Sequence, residues 1–70
     1  MNMIALVSMN GSKFYLNPDL IYRIEETPDT VVILTDGKTL IVKQSAEEIV
    51  DLIIEYRRKV FRQLPKDERN

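Results

Sequence analysis

Val31-Val32-Ile33-Leu34-Thr35-Asp36-Gly37-Lys38-Thr39-Leu40-Ile41-Val42-Lys43 places two apolar runs on either side of Asp36-Gly37. An Asp-Gly pair between β-branched runs is the strongest short signal for a hairpin, because its residues accept the positive φ that reverses the chain. The stretch predicts strands over 31–35 and 39–43. Both runs carry apolar side chains at successive positions, as in strands covered on both faces.

Toward the N-terminus, Thr27-Pro28-Asp29 is a break, and Ile21 to Glu26 before it alternates in the manner of a half-buried strand. That alternation puts Tyr22 and Ile24 on one face and Arg23 and Glu25 on the other. Pro18 cannot donate to a ladder and holds Asn17 extended, so Asn17-Pro18-Asp19 ends a strand and opens a short helical turn through Leu20. Residues 3–8 and Phe14-Tyr15-Leu16 flank Asn10-Gly11 and predict a second hairpin.

Toward the C-terminus, Ser45-Ala46-Glu47-Glu48 is a capping box, in which the Ser45 hydroxyl and the Glu48 carboxylate each accept from the other residue's amide. A helix over about 45–62 follows. Ala46, Ile49, Ile53, Tyr56 and Val60 form its core-facing stripe; Leu64 extends the stripe and Pro65 ends it. The expected fold is α+β: a small five-stranded, mainly antiparallel sheet followed by one C-terminal helix. Residues 1–64 form a single β-rich domain, and 65–70 a polar tail that frays. There is no internal repeat, linker or low-complexity segment.

Seventy residues bury only about 60% of the surface that the unfolded chain exposes. The absence of Cys and His removes disulfides, thiolate and Ser-His-Asp catalysis, and every His/Cys metal site. Residues 1–55 hold nine acidic and four basic side chains, a balance of −5, whereas the last fifteen hold six basic and two acidic, +4. That dipole, with a pI near 5.3, is not the footprint of a general nucleic-acid binder. No apolar run approaches the ~20 residues of a membrane span, and no basic segment precedes the first one, so a cytoplasmic protein is expected.

The motifs that could carry chemistry read as structure. Gly37-Lys38-Thr39 resembles the end of a phosphate-binding loop, but Val32 occupies the first glycine position and a strand follows. Glu25, Glu26 and Asp29 lack the spacing of a calcium loop. Glu47, Glu48, Asp51 and Glu55 lie on the polar face of the helix, where the first two complement its positive end. No catalytic residue, cofactor-binding residue or metal ligand is assigned, and the expectation is a protein that is not an enzyme.

What stands out is excess apolar surface. Val50, Ile54 and Phe61 form a second helix stripe rotated from the first, and with Leu52 on the far flank the apolar arc spans about 200°, twice that of an ordinary surface helix. One helix cannot also cover both faces of the strands. A homo-oligomer joined through Val50, Ile54 and Phe61 is expected; a sheet curled into a small barrel is the other way to hide the surplus. Arg57 lies between the two stripes, either paired with a carboxylate across a contact or lying along the apolar surface. Arg57, Arg58, Lys59 and Arg62, with Tyr56 and Phe61 among them, form a candidate partner contact, or a set of cations against the negative helix end.

Asn10-Gly11, Phe14-Tyr15-Leu16-Asn17-Pro18-Asp19-Leu20-Ile21, Glu25-Glu26-Thr27-Pro28-Asp29-Thr30, Gly37-Lys38 and Tyr56-Arg57-Arg58 together resemble the small flagellar FlbD family, also called the swarming motility protein SwrD family. The resemblance covers positions 3 to about 60. Gln44, where an acidic residue is expected, and a slightly longer leader before Ile4 are its departures. It implies a non-enzymatic bacterial protein that supports swimming or swarming by raising flagellar motor power through the membrane-embedded stator units. The expected partner contacts are Asn17, Pro18 and Asp19 as a presented turn and Tyr56, Arg57 and Arg58 as a charged surface, with the protein cytoplasmic and peripheral at the flagellar base. A competing expectation is a small RNA-binding regulator similar to the carbon storage regulator proteins, which also have about five short strands and a C-terminal helix; the charge balance weighs against it.

Overall fold

The computed structural model describes residues 3–63. Five strands come first: β1 (Ile4–Val7), β2 (Lys13–Leu16), β3 (Ile21–Glu26), β4 (Thr30–Leu34) and β5 (Thr39–Val42). A 3-10 turn, Pro18–Leu20, separates β2 from β3, and the helix α1 (Ala46–Gln63) ends the described chain. The fold is therefore α+β with antiparallel strands and a C-terminal helix. The expected tail at 65–70, and the stop at Leu64-Pro65, lie outside the described residues.

The strands form two sheets, β1-β2 and β3-β4-β5, and do not close into a barrel. A seam joins them. Ser8 bridges to Val42, the Lys43 amide donates to the Val7 carbonyl at 2.8 Å, and the Met9 amide donates to the Ile41 carbonyl at 3.0 Å. Beside this seam the Val7 amide donates to Oε1 of Gln44 at 3.0 Å, so this side chain serves as a backbone acceptor.

Both hairpin signals act through glycine. Gly11 and Gly37 have φ of 94° and 91°, the left-handed region that costs glycine little. In the second hairpin Leu34 and Lys38 close a three-residue loop, Thr35-Asp36-Gly37, with the Leu34 amide donating to Lys38 at 2.8 Å and the Gly37 amide donating back to Leu34 at 2.9 Å. A glycine at positive φ in the last loop position is the usual solution for a loop of this length. The Thr27–Pro28 peptide, in the turn between β3 and β4, is cis.

Pairing residues share a face, so the registers define the core. Ile4 opposite Leu16 and Leu6 opposite Phe14 point inward from the first sheet; Val32 opposite Leu40 and Thr30 opposite Val42 do so from the second. Ile4, Leu6, Leu16, Val32, Val42 and Ile49 are buried, with Leu52, Ile53 and Tyr56 of the helix packed against them. Of the expected core-facing stripe, Ile49, Ile53 and Tyr56 reach the core, Ala46 and Val60 are half-buried outside it, and Leu52, expected on the far flank, takes part instead.

One expectation fails in β3. Its register slips between Ile21 and Arg23, so Ile21 pairs with Leu34 and Arg23 with Ile33, leaving Tyr22 as an extra residue. A bulge resets the alternation. Ile21 and Ile24, three positions apart, both pack against the core, while Tyr22 is 70% exposed rather than sharing the face of Ile24.

The molecule is elongated, with extents of 46 × 21 × 20 Å and a radius of gyration of 13.8 Å, against about 11 Å for a compact chain of this length. Among the described residues the apolar core contacts of α1 end at Tyr56.

Candidate functional site

Asn17 opens the 3-10 turn with its side-chain Oδ1 accepting from the Asp19 amide at 2.9 Å, while its extended backbone (φ −72°, ψ 114°) suits the residue before a proline. Pro18 occupies the first turn position, where a missing N–H costs nothing, and is buried. The turn is thus fixed from both ends and anchored by its proline. Asp19 and Leu20 face solvent.

The helix meets this turn through Arg57, whose Nη2 donates to Oδ1 of Asp19 at 3.2 Å, joining positions 38 apart in sequence. The side chain that lies between the two apolar stripes is therefore drawn to a carboxylate of its own chain. Both partners stay more than half exposed, so the pair fixes direction more than it adds stability; exposed pairs contribute about 0.2–1 kcal/mol. Arg58 donates to Glu55 at 3.2 Å one turn away on the helix.

Of the expected partner contacts, the geometry brings Asn17, Pro18, Asp19 and Arg57 together, with Arg58 on the next residue of the helix. Tyr56 is placed otherwise. It is half-buried against the core, so it holds the helix down while the guanidinium groups lie on the surface. The reason is angular: Tyr56 falls about 20° from the buried Ile49, Arg57 about 80° and Arg58 about 180° on the helix wheel.

The second helix stripe is not used by the core. Val50 is 46%, Ile54 44% and Phe61 72% exposed. On the outer face of the larger sheet Ile41 is exposed and Val31 and Ile33 are half covered, beside the Arg23–Glu25 pair of β3. Periodicity foresaw these surfaces. It did not foresee Tyr22 and Leu20, whose exposure beside the Asp19 turn follows from the bulge and the turn, nor the shallow groove in which Ala5, Gln44 and Leu52 meet Glu48, Asp51 and Glu55. The glutamates and aspartate of that groove were legible as a polar helix face; the β1 wall was not.

Glu25 is paired with Arg23 at 2.8 Å, and among the described residues no group of three or more carboxylates is arranged to hold a metal ion. No helix among them is long and apolar enough to cross a membrane. The family model for flagellar and swarming motility proteins, FlbD, matches residues 3–61. The chain belongs to the FlbD family. That match spans every described strand and all but the last two described residues of the helix. Neither a curated protein nor a solved structure matches the chain. Membership makes it a motility-associated protein of the flagellar and swarming class. The family offers no support for the RNA-binding expectation.

Proposed function

We propose that this FlbD-family protein acts by binding rather than turnover: it docks on the flagellar motor from the cytoplasmic side and raises motor power through the stator units. The docking surface is the Asn17-Pro18-Asp19 turn with Arg57 and Arg58, and the chain self-associates through Val50, Ile54 and Phe61. The observation that carries the reading is the Asp19–Arg57 pair, which gathers the turn and the helix end into one exposed, charged, preorganised patch. Preorganisation favours binding because little side-chain freedom remains to be lost on contact.

The test uses a strain lacking the protein, complemented with the chain carrying Arg57→Asp and Arg58→Asp. Both side chains are exposed, so the substitutions cost little stability. Protein at its normal level with lost spreading on soft agar, and lost co-purification of stator proteins, is the expected result. Normal spreading with these substitutions overturns the site, and normal stator retention overturns the mechanism.

A further inference from the structure

The helix is divided by charge along its length. Glu47, Glu48, Asp51 and Glu55 occupy its first half, and Arg57, Arg58, Lys59 and Arg62 its second. The exposed apolar side chains Val50, Ile54 and Phe61 run down one side, over about 16 Å of helix axis at 1.5 Å per residue. On the wheel, Glu47, Asp51, Arg58 and Arg62 flank that stripe on the side away from the core.

We infer that the occupant of this stripe is a second copy of the same chain, its helix antiparallel to the first across a two-fold axis passing between Glu55 and Tyr56. This rests on the self-association reading above and supplies its geometry. Charge complementarity selects the copy and its direction. A parallel pair would lay acidic half on acidic half and basic on basic. The antiparallel pair lays Asp51 of each chain against Arg58 and Arg62 of the other, and Glu47 against Arg62. Opposite charges at facing flank positions set partner and orientation in paired helices.

The apolar positions agree with the same axis. Val50 faces Phe61 of the second copy, and Ile54 faces the stem of its Arg57. That last contact would bury a guanidinium were it not already tied to Asp19 at 3.2 Å, which leaves the aliphatic stem free to cover Ile54. A two-fold pair is isologous, so each such contact occurs twice. With no native Cys, introduced thiols report the geometry directly.

The experiment combines light scattering of the full chain with oxidation of purified variants. A wild-type mass of twice 8.2 kDa is expected. Val50→Cys mixed with Phe61→Cys should give the mixed disulfide as the main product. Val50→Cys alone should give almost none, because its two copies lie about 16 Å apart along the axis. Glu47→Arg with Asp51→Arg should lose the dimer, and Arg58→Asp with Arg62→Asp added should restore it. A dimer in which Val50→Cys links to itself overturns the antiparallel arrangement and leaves self-association standing. A monomeric wild-type chain overturns both and assigns the stripe to a different protein, while the motor-docking site is judged separately by the spreading of cells carrying Asp19→Arg, a docking residue that lies outside the paired helix faces.

Discussion

At Gly37 the backbone alone decides what the position tolerates. A Cβ built there meets no heavy atom within 4 Å, yet φ is 91°. The cost of Gly37→Ala is therefore conformational, about 1–2 kcal/mol for an L-residue held in the left-handed region. A lowered urea midpoint with an unchanged slope is the expected result, and an unchanged midpoint would show that the loop relaxes out of its three-residue form. The neighbouring Asp36 contributes differently, its Oδ1 accepting from the Lys38 amide at 3.0 Å, so the pair was readable in the sequence for two separate physical reasons. Tyr22 is the opposite case. Nothing in Ile21 to Glu26 marks it as the extra residue, because a bulge is set by how β3 pairs with β4 and not by β3 itself.

For the elements, the helix start is the most local and was the most legible. The Ser45 amide donates to Oε1 of Glu48 at 2.9 Å, and the Glu48 amide donates to the Ser45 hydroxyl at 3.1 Å, so the box closes in both directions. Ser45→Ala should cost about 1 kcal/mol, seen as an earlier thermal midpoint for the far-ultraviolet helix signal. Glu48→Gln retains an acceptor and should cost much less; equal losses in the two variants would count against the reciprocal box. The hairpins and the core stripe of the helix were legible for the same reason, since turn chemistry and periodicity act within a few residues. The split of the strands into two sheets was not, because the Ser8–Val42 seam joins positions 34 apart and leaves no local pattern. The convergence of Asp19 with Arg57 was hidden in the same way: each residue was legible as a surface charge, but their meeting depends on how the helix lies across the sheets.

At the scale of the whole molecule, one helix and five short strands cover a small core and leave apolar side chains wet on two sides. Phe61 is the clearest probe because it lies beyond the last helix residue of the core cluster. Phe61→Glu should leave the fold intact, with the far-ultraviolet helix signal of wild type, and halve the solution mass. An oligomer of wild-type mass in that variant would remove Phe61 from the interface. Raised salt should lower the self-affinity of the wild-type chain, since the flanking charges are exposed and screened over about 10 Å at 0.1 M.

The join between the two sheets has a mechanical meaning. Its backbone bonds are those from Lys43 to Val7 and from Met9 to Ile41, helped by the Gln44 side chain. Pulling that separates β1 from β5 breaks these few bonds before it reaches the longer ladders within either sheet. Under load the seam is where the molecule stretches first, and with β2 still paired to β1 and β4 to β5, both halves keep the template needed to close it again.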